Sequence, residues 1–304
     1  MFPERQPDPH REWKDEVTFL DAIFPNGAAY SVGKMNGDHW LLYITTAPVI
    51  KGTSPDPSQL PPLAHVDAIA VAEKGLPPDY TIEILMSDLS REAREPFFFS
   101  IPPSPVDGGS PEALPSITGQ TLSAALGITD IFPPHLTTLD AYAFSPCGYS
   151  SNALLKWGDG ASDADLGEGY YTIHVTPEEG WSYASFECNV PFSPLSSAKD
   201  IPDTQTLIKR VVDIFQPGRL SITLFISNRV NTNAEESEAD SVIEAAQREF
   251  KYALTASRPT SMSSSGSNGS HEAADGQIRN YRRTDKINYE FGGYNLAFAS
   301  FELR

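Results

Sequence analysis

The sequence predicts an α+β fold in which antiparallel sheets are backed by a few helices. Runs such as residues 79–86 alternate polar and apolar side chains, as half-buried strands do. Residues 10–24 and 204–215 instead place their apolar side chains on one helical face. Because strand-like runs outnumber helical ones and often follow each other directly, antiparallel pairing is favoured over strict strand–helix alternation.

Turn and breaker residues divide these runs into elements. Pro25-Asn26-Gly27 ends the first helix, and Asn36-Gly37 between the next two runs predicts a hairpin. Pro217-Gly218 is expected to end the helix at 204–215. The other predicted elements are a short helix at 118–126 and strands at 28–34, 40–46, 79–86, 139–147, 170–175, 182–190, 220–227 and, as one long strand, 287–303.

Composition separates the chain into three parts. Residues 48–78 are rich in proline and polar residues, so we expect a linker there. Residues 1–47 hold one helix and one hairpin, too little for a core of their own, and resemble the end of a larger domain. Residues 79–304 are long enough for a complete domain, with a disordered serine- and glycine-rich insertion at about 258–277.

The charge balance restricts the partners. The chain has 40 acidic and 22 basic residues and a formal net charge of -18. Phosphate backbones and anionic membrane surfaces would repel it, so neither nucleic acid nor a membrane is an expected partner. A small cation is the natural complement, although acidity that serves only solubility is the commoner case.

Cysteine use and the N-terminal sequence indicate a cytoplasmic protein. Cys147 and Cys188 are the two cysteines, which fits neither a disulfide framework nor a metal-binding spacing. The first residues lack the apolar core of a signal peptide, and no apolar run in the sequence is long enough to span a bilayer.

A polar row is predicted on the strand at 79–86. Asp79, Thr81 and Glu83 alternate with apolar residues and therefore share one side of the strand. A solvated face is the usual reason for such a row, and the strand alone favours it. A buried acidic row would suit a diamine, since buried carboxylates without a cation are costly.

Three further polar residues are candidates for chemistry. His174 is either a structural histidine or a proton-transfer group, because imidazole titrates near neutral pH. Glu178 lies in a loop and is either solvated or an acceptor for vicinal hydroxyls such as those of a ribose. Ser150 follows a tight turn; without a Gly-x-Ser-x-Gly elbow, a hydrolase pair with His174 is disfavoured.

Seven motifs occur in a fixed order along the chain. They are Phe-Pro-Asn-Gly-Ala-Ala-Tyr at 24–30, Ile-Leu-Met-Ser at 84–87, Pro-Cys-Gly-Tyr-Ser at 146–150, Thr-Ile-His-Val-Thr-Pro-Glu at 172–178, Ser-Tyr-Ala-Ser-Phe-Glu at 182–187, Phe-Gln-Pro-Gly at 215–218 and Gly-Tyr-Asn at 293–295. Together they resemble eukaryotic-type S-adenosylmethionine decarboxylase, from about Phe2 to the C-terminus.

The resemblance implies a fold and an activity. The family fold is a four-layer α/β-β/α sandwich of two similar halves, so residues 1–47 would be the end of the first half and 79–304 the complete second half, leaving one half incomplete in this chain. The implied enzyme is a carboxy-lyase of spermidine and spermine biosynthesis that converts S-adenosylmethionine to its decarboxylated form and CO2. The implied cofactor is a pyruvoyl group, made by self-cleavage at the serine of a Glu-Ser-Ser sequence, whose ketone acts as electron sink.

Site residues follow from the resemblance position by position. Ser150 and His174 match the catalytic residues that assist self-cleavage. Phe144 matches an aromatic residue that stacks on adenine, and Glu178 matches the carboxylate that binds the ribose hydroxyls. The family's binding site for the activator putrescine is matched by Asp79, Thr81, Glu83, Glu187, Phe225 and Tyr294; no metal site is implied.

The sequence departs from the family at the cofactor. No Glu-Ser-Ser occurs in the 304 residues, and neither Cys147 nor Cys188 matches the cysteine that protonates the product. The chain is therefore expected to be a truncated decarboxylase. The alternative is a non-catalytic regulatory partner of an active decarboxylase, and a homodimer or a complex with a full-length homologue is an open expectation.

The missing motif gives a first prediction. We expect the 304-residue polypeptide by itself neither to cleave itself nor to decarboxylate S-adenosylmethionine, because the serine that would become the pyruvoyl group is absent. Mass spectrometry of the purified protein should show one uncut chain of 33.2 kDa. Release of CO2 by this protein would contradict the expectation.

Overall fold

The computed structural model describes residues 6–36, 39–45, 80–99, 114–158, 167–191, 201–227, 236–255, 280–291 and 294–304. They belong to two compact units. The smaller contains Met1–Pro78, Ser227–Ala234 and Tyr289–Asn295, and the larger contains Asp79–Ile226, Glu235–Asn288 and Leu296–Arg304. The expected linker and insertion, and Asp79 itself, lie outside the described residues, so the domain limits stay predictions.

The smaller unit contains the predicted helix and hairpin. Helix α1 spans Trp13–Ile23, and strands β1 and β2 span Gly27–Gly33 and His39–Thr45. The two strands pair antiparallel, with Gly27 opposite Thr45. The helix ends before Pro25, as expected, and none of its residues is buried.

The larger unit contains most of an eight-stranded sheet. The strands of this sheet are β3 (Tyr80–Leu89), β4 (Thr137–Ala143), β5 (Tyr149–Trp157), β6 (Gly167–Thr176), β7 (Tyr183–Cys188), β8 (Pro217–Ser227), β9 (Tyr281–Phe291) and β10 (Tyr294–Leu303). Their spatial order is β4-β5-β6-β7-β3-β8-β10-β9. Ser227 of β8 and the parts of β9 and β10 within Tyr289–Asn295 are assigned to the smaller unit. The registered pairs from β4 to β8 are all antiparallel, which confirms the α+β class with antiparallel sheets.

Period-two alternation gives the sheet one apolar face. On β3, Ile82, Ile84 and Met86 are almost fully buried, and Ile173 and Phe186 on neighbouring strands are fully buried. These side chains form one core cluster with buried residues of the helices. The helices are α2 (Arg91–Arg94), α3 (Leu114–Ala125), α4 (Thr204–Phe215) and α5 (Glu236–Thr255), and 3₁₀ turns lie at Glu95–Phe97, Ile128–Asp130 and Pro134–Leu136.

Helix α4 has clear local signals in its sequence, which is why it could be predicted. Its apolar positions recur at helical spacing, and five of its residues are buried on one side. Asp203 caps its first turn by accepting a hydrogen bond from the Thr206 amide at 2.7 Å, and this bond lowers the pKa of Asp203. The helix ends at Gln216 in a left-handed conformation; Pro217-Gly218, expected to stop the helix, instead begins β8.

Two sequence expectations need correction, and two elements of the structure had no predicted counterpart. Residues 287–303 are not one strand but parts of β9 and β10, separated at Gly292-Gly293, a dipeptide that favours turns. The strand expected at 139–147 ends at Ala143 because a turn follows it. Strand β5 and helix α5 were not predicted, although Ile243 and Phe250 on α5 are buried at helical spacing.

Candidate functional site

The candidate residues lie mainly on the sheet face opposite the buried one, here called the site face. Strand register aligns its side chains in two rows. The first row is Tyr142, Ser150, His174, Ser185, Leu85 and Ser221. The second row is Asp140, Asn152, Thr172, Glu187, Glu83 and Thr223. Since members of the two rows are two residues apart on each strand, the rows run about 7 Å from each other.

Ser150 and His174 form a direct pair in the first row. They face each other across β5 and β6, and Ser150 Oγ lies 2.8 Å from His174 Nδ1. A hydrogen bond of this length holds the imidazole in one orientation. The pairing orients His174, and this orientation fits both a structural histidine and a proton-transfer group.

The turn before Ser150 presents Phe144. The Phe144 amide donates to the Gly148 carbonyl at 3.0 Å, which closes the turn, and the Phe144 side chain is 49% exposed. Gly148 has a φ of 115°, a conformation that residues with a Cβ rarely adopt. The Pro-Cys-Gly-Tyr-Ser motif therefore needs its glycine to hold an exposed aromatic ring beside the start of β5.

Glu178 lies in the hairpin between β6 and β7. Its carbonyl accepts a hydrogen bond from the Trp181 amide at 3.1 Å, and Gly180 has a φ of 82°. Burial first, and then the neighbouring Glu178 carboxylate, raises the pKa of the Cys147 thiol. Because Tyr149 pairs with Val175, the Glu178 hairpin and the turn that carries Phe144 lie at the same end of β5 and β6.

An acidic pair occupies the second row. Glu83 and Glu187 face each other across β3 and β7. Burial, followed by the negative charge of Glu187, raises the pKa of Glu83 above its ordinary value of 4.5. The Tyr170 hydroxyl donates a hydrogen bond to Glu187 Oε1 at 2.7 Å. Glu83 thus holds a proton more readily than an exposed acid does, and a cation beside the two carboxyls would suit them.

Of the other four residues predicted to contact a diamine, two lie next to the acidic pair in the sheet. Thr81 and Phe225 face each other across β3 and β8, one strand position beyond the acidic pair on the site face. Asp79 lies outside the described residues, and Tyr294 begins β10 and belongs to the smaller unit. The roles of all six residues stay predictions.

Four polar residues at this site were missed by the sequence reasoning. Tyr170, Tyr183 and Ser185 share the site face with His174 or Glu187, and strand alternation could have shown this. For Tyr183, burial and then the charge of Glu83 raise the pKa of the phenol. Arg94, which contacts the Glu178 hairpin, carried no signal in the sequence.

The described residues contain neither a metal-binding cluster nor a candidate membrane helix. Among those residues, no group of three His, Cys, Asp or Glu side chains could hold a metal ion. Within the same residues, no helix is both long and apolar enough to cross a membrane.

Comparison with known proteins gives consistent matches. A family model described as "Adenosylmethionine decarboxylase" matches residues 1–302. A Xenopus laevis protein named "S-adenosylmethionine decarboxylase proenzyme" is 30% identical over 301 residues, which are 99% of this chain and 62% of that protein. Proteins of the same name from Drosophila melanogaster and Saccharomyces cerevisiae are both 32% identical, over 98% and 78% of this chain and 64% and 54% of theirs.

The chain thus spans less than two thirds of the length of these relatives. Among solved structures, one titled "Crystal structure of Trypanosoma brucei AdoMetDC-delta26 monomer" aligns with a TM-score of 0.48 and 18% identity. That alignment covers 100% of this chain and 81% of the other.

Proposed function

This chain belongs to the adenosylmethionine decarboxylase family, and on that premise we propose that it forms part of an enzyme that decarboxylates S-adenosylmethionine. The products would be CO2 and decarboxylated S-adenosylmethionine, the aminopropyl donor for spermidine and spermine. The observation that carries the proposal is the 2.8 Å Ser150–His174 pair, with Phe144 on the turn that precedes Ser150.

In this proposal Ser150 and His174 handle protons. With Nδ1 fixed by Ser150, the imidazole would accept or release a proton through Nε2. The family's pyruvoyl group supplies a ketone that withdraws electrons from the substrate as CO2 leaves. Its precursor serine is not among these 304 residues, so Ser150 and His174 fit the assisting part of the chemistry and no step through the group is assigned to this chain.

Phe144 and Glu178 would hold the nucleoside. An exposed aromatic ring offers a flat apolar face for adenine. A carboxylate can accept hydrogen bonds from both hydroxyls of a ribose. Support for a shared site comes from strand pairing: Tyr149 lies opposite Val175, so the Phe144 turn and the Glu178 hairpin are at the same end of β5 and β6.

Putrescine is proposed as the ligand of the acidic pair. Glu83 and Glu187 would bind an ammonium group, and Thr81 and Phe225 would contact the stem of the diamine. The roles of Asp79 and Tyr294 rest on the family resemblance alone. Opposite charges at close range offset the cost of desolvating both. We also place the protein in the cytoplasm, where the free thiols of Cys147 and Cys188 would stay reduced.

Nucleoside binding tests the proposal without turnover. We expect the purified chain to bind 5′-deoxy-5′-methylthioadenosine, measured by isothermal titration calorimetry. Glu178→Gln should weaken binding by roughly 10–100-fold, because a charged acceptor of hydrogen bonds contributes about 1.5–3 kcal/mol. Phe144→Ala should weaken it similarly, since stacking on a base contributes about 1–3 kcal/mol.

A matched control uses another exposed aromatic residue. Tyr252 lies on α5, is 51% exposed, and its removal should leave the affinity unchanged. The proposal fails if the wild-type chain shows no binding, or if Tyr252→Ala weakens binding as much as Phe144→Ala does.

A further inference from the structure

The segment 91–99, which follows β3, is anchored in the core. Phe97 is fully buried, with its ring centroid 5.6 Å from that of Tyr149 and 6.2 Å from that of Phe215. Ser90 caps α2 by accepting from the Ala93 amide at 3.2 Å and donates to the Gln216 side chain at 2.8 Å. The segment therefore has a fixed position relative to the sheet.

This segment holds the turn that carries Phe144. The Gly148 amide donates to the Phe97 carbonyl at 3.0 Å, and the Phe99 amide donates to the Pro146 carbonyl at 2.7 Å. Between these bonds, a backbone bridge pairs Phe98 with Cys147. The backbone of the turn is thus tied on one side to a core-anchored support.

Arg94 reaches from the same segment to the other loop of the site. Its side chain is only 15% exposed. Nη1 donates to the Pro177 carbonyl at 3.5 Å, and Nη2 lies 3.4 Å from Glu179 Oε2. Both distances are long, but a guanidinium this well buried must be compensated by acceptors, and these two are in the hairpin.

The two acceptors flank Glu178 in the sequence. Pro177 precedes it and Glu179 follows it, so a planar donor group that holds both neighbours limits where the Glu178 carboxylate can point. The Phe144 turn lies at the same end of β5 and β6, because Tyr149 pairs with Val175. Orientation matters here because a carboxylate binds two vicinal hydroxyls only in a narrow range of positions.

We propose that Arg94 is a positioning residue, which acts through the Glu178 hairpin to aim the carboxylate at a ribose diol, while segment 91–99 keeps this hairpin and the Phe144 turn at a fixed separation. The inference rests on the proposed function, because it presumes that Glu178 binds a nucleoside. It assigns to Arg94 a part in ligand selection rather than in chemistry.

The test compares two nucleosides that differ in the diol. Adenosine has both hydroxyls and 2′,3′-dideoxyadenosine has neither, and both are titrated into the full chain by calorimetry. Arg94→Met should raise the Kd for adenosine roughly tenfold, a typical coupling within one hydrogen-bonded network, and leave the Kd for dideoxyadenosine unchanged. Arg94→Lys, which keeps the charge, should recover part of the loss. In a Glu178→Gln background, Arg94→Met should have no further effect.

One control variant and three possible results test the positioning role of Arg94. Arg282, paired with Glu302 at 3.2 Å on the surface, provides a matched control, and Arg282→Met should change neither Kd. If Glu178→Gln removes the preference for adenosine and Arg94→Met does not, the inference is wrong and the proposed function stands. Equal weakening of both nucleosides by Arg94→Met would indicate a general structural role and would also overturn it. If the wild-type chain binds neither nucleoside, the proposed function itself fails and the inference fails with it.

Discussion

Replacing Phe186 by alanine should destabilise the larger unit by about 3–5 kcal/mol, the range observed when a buried phenylalanine is truncated. Phe186 is fully buried at the centre of the sheet, between Ile84 on β3 and Ile173 on β6. Its ring stacks on Tyr171 at 5.8 Å, and Tyr171 stacks on Phe132 at 5.5 Å. The cavity left by the ring would interrupt this stack, and the surrounding strands can close it only in part.

Urea denaturation followed by circular dichroism measures the loss. The transition should move to lower urea with little change in its slope, which reports the surface exposed on unfolding. Leu154→Ala provides the control: Leu154 is 62% exposed on the site face of β5, so its truncation should cost less than about 0.5 kcal/mol. A loss for Leu154→Ala as large as that for Phe186→Ala would contradict the assignment of the two faces.

Putrescine should stabilise the folded chain at pH 7.5, and Glu83→Gln should remove most of this effect. A ligand present at 100 times its Kd stabilises the folded state by about 2.7 kcal/mol. Glu83 is desolvated enough for burial to raise its pKa, so its ionised carboxylate should gain most from an ammonium group beside it. Loss of this charge-assisted contact should weaken binding by roughly 10–100-fold.

The contribution of Glu83 to the stability of the folded protein should change with pH in a definite direction. Because the pKa of Glu83 is raised in the folded protein, its contribution to stability is fully present below the pKa of the unfolded chain and is lost as pH rises through the folded pKa. Without ligand, Glu83→Gln should therefore be more stable than wild type at neutral pH, and the difference should shrink toward pH 4.5. Putrescine binding has the opposite trend, because at low pH the diamine must displace a proton.

Thermal melting at pH 5 and 7.5, with and without putrescine, checks both trends. Asp140→Asn removes an exposed carboxylate from the same row of the site face and should leave the putrescine effect intact. Butylamine at equal ionic strength should stabilise less, since it carries one ammonium group. An equal effect of putrescine on wild type and Glu83→Gln would refute the assignment of this site.

Much of the fold could be predicted because local patterns and tertiary structure agree. Helix α4 has its apolar stripe, its aspartate cap and its end within one stretch of sequence. The alternation on β3 predicted that Thr81 and Glu83 share a face opposite Ile82 and Ile84, and the structure confirms it. Motif order identified the family before any contact was known.

The failures occur where local signals compete or are diluted. Residues 281–303 contain two strands with similar alternation, and the glycine pair between them in the sequence is too weak a signal to separate them. Helix α5 begins with a polar stretch, which hid the apolar spacing of Ile243 and Phe250. In both cases the pattern was present, but neighbouring residues favoured another interpretation.

The sequence by itself determined which side chains share a strand face, and through its motifs the family and the candidate residues. Only the tertiary structure decided which of them meet. Ser150 and His174 are 24 residues apart in the chain, and a shift of one residue in the β5–β6 register would send one of them to the buried face. Register depends on how whole strands pack their apolar faces. The same packing brings Glu83 opposite Glu187 and brings Arg94 to a hairpin 83 residues away in the chain. Such long-range packing leaves no local mark on the residues that it brings together.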